Sequence, residues 1–124
     1  MSKIQNTNLL GIEGEDIASV FLQNKGYEIL ARNWIFDRAE IDIIAKNDAV
    51  LVFVEVKTRK NLHFGNPEDA VTFRKIAQIE KASLAYIEAK NYHGEVRFDI
   101  IAIVRAGGKT LEIQHFEDAF FPTN

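Results

Sequence analysis

The most regular hydrophobic pattern in the chain lies between Val50 and Arg59. Alternation with a period of two places four valines on one face of a β-strand. The opposite face carries Leu51, Phe53, Glu55 and Lys57. Because apolar residues occupy both faces, we expect this strand to be covered on both sides of its sheet.

A second strand is predicted at Glu40–Lys46, and the turn signal Asn47-Asp48 joins it to Val50–Arg59 as a hairpin. Simple alternation predicts that one face of this second strand carries Ile41, Ile43 and Ala45. The other face is expected to carry Glu40, Asp42 and Ile44.

Helical spacing of apolar residues predicts one helix before these strands and one after them. The first is expected to begin near Asn8, a good N-cap residue, and to end at Gly26. The second is expected to begin at Pro67, which suits the first helical position, and to continue to about Lys90.

Three further strands are predicted at Tyr27–Asn33, Glu95–Val104 and Thr110–Phe116. The order helix, three strands, helix, two strands predicts an α/β fold with a mixed five-stranded sheet flanked by helices. A length of 124 residues with 47% hydrophobic residues suits one domain over residues 1–124.

Composition narrows the possible functions. No stretch approaches the roughly 20 apolar residues that a membrane helix needs, and the N-terminus lacks the apolar core of a secretory signal. We therefore expect no membrane association. The absence of cysteine excludes thiolate metal sites and fits a cytoplasmic location. A net charge of −3 argues against a protein that coats DNA by bulk charge, although a carboxylate metal site is itself acidic.

Charged residues within the two buried strands mark a candidate site. Glu55 and Lys57 interrupt an apolar strand on one face, yet such residues are rarely buried without a partner. A hairpin that turns at Asn47-Asp48 brings Asp42 opposite Glu55, about 5 Å away. Two carboxylates at that distance repel each other, so a cation between them would stabilise both.

Oxygen ligands without cysteine favour a hard cation, and we expect Mg²⁺ or Mn²⁺. Asp42 and Glu55 are the expected ligands, with the backbone carbonyl of Val56 as a further candidate. Lys57 would orient or deprotonate the attacking water, or neutralise charge in the transition state. Glu15 joins this site if the first helix packs over the strand ends.

A structural ion pair is the competing interpretation of the same residues. Glu-x-Lys occurs by chance in about every second chain of this length. This chain contains another copy, Glu88-Ala89-Lys90, on a predicted helix where residues two apart do not face each other. The residues alone leave a metal site and a bridge from Lys57 to Asp42 and Glu55 equally open.

Other polar residues receive weaker predictions. Glu40 is either an outer ligand or, as we favour, a solvated strand end. Arg59, Lys60 and Lys75 are candidates for a basic edge that binds nucleic acid. A salt bridge from Arg59 to the following loop, and a surface position of Lys75 on its helix, are equally open. Asp99 interrupts an apolar strand, and we expect a structural pair with Arg97 or with a basic helix residue.

Several motifs occur in the order typical of the YraN-like family of small bacterial proteins, which the chain resembles from about Leu10 to Phe120. The string from Phe53 to Arg59 is the most specific of them. The motifs are Gly11-x-x-Gly14-Glu15, Ala39-Glu40-Ile41-Asp42, Phe53-Val54-Glu55-Val56-Lys57-Thr58-Arg59, Phe64-Gly65, Lys75 and Arg97-Phe98-Asp99.

That family in turn resembles the archaeal Holliday-junction resolvases and the PD-(D/E)xK nuclease superfamily. The resemblance implies a restriction-endonuclease-like fold, with Asp42 and Glu55 as metal ligands and Lys57 as the catalytic lysine. Glu15 matches the helix glutamate of the resolvase-like branch. The implied reaction is Mg²⁺- or Mn²⁺-dependent hydrolysis of DNA phosphodiester bonds, on branched or junction DNA and by a homodimer.

Three functions therefore compete. The first is an active nuclease that uses Asp42, Glu55 and Lys57. The second is a nucleic-acid-binding module with the nuclease fold but no cleavage activity of its own, which the overall acidity favours. The third is a protein–protein scaffold in which the charged strand is only an ion pair.

Overall fold

The computed structural model describes residues 3–60 and 72–119, with side chains from residue 13 onward. Within these ranges two helices and five strands follow one another in the predicted order. They are α1 (Lys3–Asn24), β1 (Glu28–Phe36), β2 (Ala39–Asn47), β3 (Val50–Arg59), α2 (Phe73–Ala89), β4 (Glu95–Ala106) and β5 (Lys109–Phe116).

The five strands form one mixed sheet in the order β1-β2-β3-β4-β5. All neighbouring pairs are antiparallel except β3 and β4, which run parallel because α2 connects them as a crossover. The predicted α/β class with a mixed five-stranded sheet is confirmed. The arrangement is consistent with a restriction-endonuclease-like fold.

Each face of the sheet has its own hydrophobic core. The α2 side buries Phe53, Ile100 and the ring of Tyr86, and the α1 side buries Leu22, Val54 and Ile103. The central strand β3 contributes to both cores, as its apolar faces predict.

The predicted alternation of β2 is wrong at one point. Ile41 packs in the α2-side core with Ile44, whereas Ile43 and Ala45 pack in the α1-side core. The alternation therefore breaks next to Asp42. The physical reason is that the Asp42 carboxylate, and not a backbone carbonyl, accepts the Val56 N–H of the neighbouring strand.

The predicted start of the first helix is also wrong. The first helix begins at Lys3 rather than Asn8, because residues 3–8 contain no glycine or proline that would stop it. The second begins at Phe73, where the side chain of Thr72 caps the helix by accepting the backbone N–H of Lys75. The predicted start at Pro67 lies outside the described residues.

The predicted end of α1 is confirmed. Gly26 has a positive φ of 90°, and the N–H of Tyr27 reaches back to the carbonyl of Leu22, which closes the helix in a Schellman motif. β1 extends to Phe36, three residues beyond its predicted end. No helix among the described residues is long and apolar enough to span a membrane.

Candidate metal centre

Asp42 lies at the point where β2 separates from β3. The paired register of the two strands ends at Ile43 and Val54, and one further step along it would set Asp42 against Glu55. Instead, Oδ2 of Asp42 accepts the backbone N–H of Val56 at 2.8 Å. This bond fixes the carboxylate at the end of the hairpin, one step beyond the last pair of the predicted register.

Three carboxylates converge at this position. One oxygen each from Glu15, Glu40 and Asp42 lies within 4.8 Å of the other two. Glu15 comes from α1, whereas Glu40 and Asp42 come from β2. A cluster of three oxygen ligands at this spacing is able to hold one hard cation.

Glu40 fits both predictions made for it. It is exposed, as a solvated strand end would be. Its carboxylate also belongs to the cluster with Asp42, as an outer ligand would, because the two residues are two apart on one strand.

Glu55 lies on the α2 side of this cluster and is buried. Its Oε1 is 3.5 Å from Nζ of Lys57 and 3.7 Å from Nζ of Lys75. Lys57 is therefore an ion-pair partner of Glu55, as the ion-pair interpretation of the strand predicted. Lys75 reaches the same oxygen from the first turn of α2.

The carboxyl groups are electrostatically crowded. Burial, followed by the negative charge of Asp42, raises the pKa of Glu55 to about 7. Burial also raises the pKa of Asp42, although the hydrogen bond from Val56 opposes that shift. Burial and Asp42 likewise raise the pKa of Glu15. A cation bound among these groups would favour their charged forms and so lower the pKa of each.

Helix α1 carries Glu15 to this end of the sheet through a close contact at Gly14. A Cβ atom at Gly14 would collide with the Thr58 hydroxyl and touch Val56. Glycine at this position therefore lets the helix pack against the end of β3. Arg32 of β1 holds the same turn, with its guanidinium 2.7 Å from Asp16 and 3.8 Å from Glu15.

Gly14→Ala is expected to push α1 away from β3. Overpacking costs about 1–3 kcal/mol, partly offset by the roughly 1 kcal/mol that alanine gains over glycine in a helix. Because Glu15 moves with the helix, Mn²⁺ affinity should fall as well. Thr58→Ala in the same chain removes the colliding hydroxyl and should restore both quantities, measured by urea unfolding and titration calorimetry. Additive effects of the two substitutions would contradict this contact.

The other predicted site residues on β3 lie at the same end of the sheet as Asp42. Val56 uses its N–H to bind Asp42, and its carbonyl remains a predicted ligand. Arg59 ends β3, where its guanidinium donates to the carbonyl of Thr58 at 3.3 Å, and Lys60 follows it on the surface. The second Glu-x-Lys copy ends α2, with Lys90 at its C-cap and away from any such cluster among the described residues.

Comparison with known proteins places the chain in a family. A family model described as "Uncharacterised protein family UPF0102" matches residues 14–103, which include Glu15, Asp42, Glu55 and Lys57. The chain belongs to the UPF0102 family. The predicted resemblance to the YraN-like family, which is this family, is thereby confirmed.

Individual UPF0102 proteins from distant bacteria match over most of their length. The chain is 50% identical to one from Flavobacterium psychrophilum, with 92% of this chain and 95% of the relative covered. It is 48% identical to one from Phocaeicola vulgatus, covering 93% and 94%. A Rhodococcus opacus relative is 43% identical, covering 90% and 95%. Their names give the family and no activity.

Proposed function

We propose that this UPF0102 protein is a Mg²⁺- or Mn²⁺-dependent nuclease that hydrolyses DNA phosphodiester bonds. The observation that carries the proposal is the placement of Asp42, held by the Val56 N–H between two groups of charges. Glu15 and Glu40 lie on one side of it, and the Glu55–Lys57 pair lies on the other.

The donor set fits a hard divalent cation. Glu15, Glu40 and Asp42 offer carboxylate oxygens at ligand spacing, and the neighbouring Glu55 carries a carboxyl whose pKa burial and Asp42 raise. We infer that Asp42 and Glu55 are the principal ligands, with Glu15 and Glu40 beside them. Such an ion supplies Lewis acidity and lowers the pKa of a bound water.

The basic residues of the site then act on the substrate. Lys57 is partly exposed and lies 3.5 Å from Glu55, so its ammonium is positioned to donate to a phosphate oxygen and to neutralise charge in the transition state. Arg59, Lys60 and Lys75 extend the positive charge along this edge, where a DNA backbone would pass. Resemblance to the resolvases favours branched DNA as the substrate.

A cleavage assay with matched lysine variants tests the proposal. Junction, flap and single-stranded DNA are incubated with Mn²⁺ and with wild type, Lys57→Ala or Lys90→Ala. Lys57→Ala should lower the cleavage rate by about a hundredfold, because the transition state loses a charged donor. Lys90→Ala alters the lysine of the second Glu-x-Lys copy and should leave the rate unchanged.

The outcomes separate the competing functions. Cleavage that survives Lys57→Ala would exclude this site as the catalytic one. DNA binding without cleavage in any metal would favour the binding module. If calorimetry detects no Mn²⁺ binding, and Asp42→Asn does not change the stability, the charged strand is an ion pair in a scaffold.

A further inference from the structure

The buried carboxylate of Glu55 holds two lysines of the candidate site. Its Oε1 lies 3.5 Å from Nζ of Lys57 on β3 and 3.7 Å from Nζ of Lys75 on α2. The Glu55 side chain is only 6% exposed, whereas those of Lys57 and Lys75 are 22% and 36% exposed. The carboxylate is therefore fixed inside the protein, and the two ammonium groups reach it from the surface.

Glu55 does not belong to the cluster of carboxylates that lies at ligand spacing. That cluster consists of Glu15, Glu40 and Asp42. Lysines, and not the spacing of metal ligands, thus set the surroundings of Glu55 in the metal-free protein. If Glu55 is to ligate a cation together with Asp42, it has to exchange its partners.

The two lysines and a divalent cation compete for Glu55. An ammonium group and a cation both take electron pairs of the same carboxylate, and their like charges repel each other strongly beside a buried group. Glu55 is buried and has little room to move. A lysine has a long flexible stem, so its ammonium is able to turn towards solvent. The lysines are therefore the groups that leave.

We propose that Glu55 couples metal binding to DNA binding, because it holds Lys57 and Lys75 in the metal-free protein and releases them to the DNA backbone when it ligates a cation. The inference rests on the proposed function, which makes Glu55 a ligand and DNA the substrate, and it adds a regulation of the same site. Without a cation, the centre presents carboxylates to a phosphate and keeps both ammonium groups on Glu55. With a cation, the carboxylates are neutralised and both ammonium groups are available to phosphate oxygens.

DNA binding by Glu55→Gln in EDTA measures the release of the lysines without any metal. The full chain is titrated onto a labelled four-way junction at about pH 8, where Glu55 is ionised because burial and Asp42 raise its pKa only to about 7. Since glutamine has no charge to hold the ammonium groups, Glu55→Gln should bind about tenfold more tightly than wild type. Two additional phosphate contacts should also steepen the slope of log K against log salt concentration by about two.

Glu40→Gln is the matched control for the loss of one negative charge. Glu40 belongs to the same centre, but the lysine ion pairs of the described residues involve Glu55 and Asp37 instead. Binding in EDTA should tighten by less than about twofold, with the salt slope of wild type, because no lysine is released. An equal gain in Glu40→Gln and Glu55→Gln would overturn the inference. An unchanged salt slope in Glu55→Gln would overturn it as well.

The cost of Lys75→Ala should depend on the metal. With Ca²⁺ replacing Mg²⁺, Lys75 is released, and its loss should weaken junction binding about fivefold. In EDTA, Glu55 holds Lys75 away from the DNA, and the variant should bind within about twofold of wild type. Arg74→Ala, at the exposed neighbouring residue, should have the same effect under both conditions. Equal costs of Lys75→Ala with and without metal would overturn the inference.

Mn²⁺ binding without DNA tests the exchange from the side of the metal. Titration calorimetry should show that Lys75→Ala binds Mn²⁺ about threefold more tightly than wild type, because one competitor for Glu55 is lost. Arg74→Ala, which also removes a positive charge, should bind Mn²⁺ like wild type. Equal or weaker binding by Lys75→Ala would contradict the competition.

Cleavage with Mn²⁺ distinguishes a failure of this inference from a failure of the proposed function. If the junction is cut in a reaction that needs Lys57, but Glu55→Gln binds it no more tightly in EDTA, the coupling is overturned and the nuclease proposal holds. If Glu55→Gln binds with the expected gain and salt slope, but no metal supports cleavage, the nuclease proposal is overturned and the coupling holds.

Discussion

Glu55→Gln is expected to stabilise the metal-free protein at neutral pH. Burial and the charge of Asp42 raise the pKa of Glu55 from 4.5 to about 7, so the folded state binds this proton more tightly than the unfolded state. Between these two values the folded state holds more protons, and the free energy of unfolding therefore falls as pH rises. Because glutamine does not titrate, Glu55→Gln should not lose this part of its stability as pH rises.

The size of the effect follows from the shift. A carboxyl whose pKa rises from 4.5 to about 7 costs on the order of 3 kcal/mol once it is ionised in the folded state. Urea unfolding in EDTA, at about pH 4.5 and about pH 8, measures the difference. Wild type should lose stability across this window, and Glu55→Gln should lose less, because only Asp42 and Glu15 then keep a raised pKa.

In Mn²⁺, wild type should become more stable than Glu55→Gln. A ligand that binds only the folded state adds about 3 kcal/mol at roughly a hundredfold excess over its Kd. Wild type should gain this stability, and Glu55→Gln should gain much less. Glu88→Gln, at an exposed glutamate on α2, should behave like wild type under both conditions. A metal-free Glu55→Gln protein no more stable than wild type at about pH 8 would contradict the electrostatic argument.

The central part of this site could be predicted because it depends on local register. The turn after Asn47 fixes the sum of paired residue numbers, and the last observed pair, Ile43 with Val54, has the same sum as the predicted pair of Asp42 with Glu55. Strand facing on β3 was predictable for the same reason. Alternation has a period of two as long as the backbone ladder continues.

The parts that could not be predicted depend on contacts between distant segments. Ile41 lies on the opposite face of β2 from the one predicted, because the Asp42 carboxylate replaces a backbone carbonyl as the acceptor of the Val56 N–H. A pattern with a period of two does not predict such a replacement. Glu40 reaches Glu15 only because Gly14 lets α1 pack closely against Thr58. The start of α2 was not predicted, because the sequence offers two equally good start signals, the N-cap residue Thr72 and a proline upstream of it.

A second set of buried charges carries the largest expected loss of stability. Asp99 is fully buried, and four donors surround its carboxylate. Arg97 donates from Nε and Nη2 at 2.9 Å each, the backbone N–H of Asp118 donates at 2.9 Å, and Nε2 of His115 lies at 2.7 Å. The predicted pairing of Asp99 with Arg97 is confirmed.

These contacts fasten β5 and the residues after it to β4. His115 belongs to β5, and its ring packs edge-on against Phe21 and Tyr27. Nδ1 of the same ring lies 2.7 Å from the ammonium of Lys25. Since an ammonium only donates, Nδ1 accepts from Lys25 and the proton on Nε2 points to Asp99. The carboxylate thus orients a ring that joins α1 to the edge of the sheet.

Asp99→Ala should therefore destabilise the protein by about 3–5 kcal/mol, because Nε of Arg97 and Nε2 of His115 lose their acceptor, while Nη2 of Arg97 keeps its contact with Glu117. The substitution should cost much more than Lys81→Ala, which breaks an exposed pair with Asp37 and is expected to cost less than about 1 kcal/mol. Urea unfolding measures both. In a double-mutant cycle, Arg97→Ala should remove part of the penalty of Asp99→Ala. Purely additive losses would mean that the pair is not energetically linked.

The pH dependence of this loss should be opposite to that of Glu55. Burial alone would raise the pKa of Asp99, but hydrogen bonds from His115, Arg97 and the Asp118 N–H outweigh it and lower the pKa below its ordinary value of 3.8. A lowered pKa gives stability that is complete above the unfolded value and disappears only as pH falls through the folded value. The difference between wild type and Asp99→Ala should thus stay constant from about pH 5 upward, and shrink only in stronger acid. A difference that already falls between about pH 5 and pH 7 would contradict the lowered pKa of Asp99.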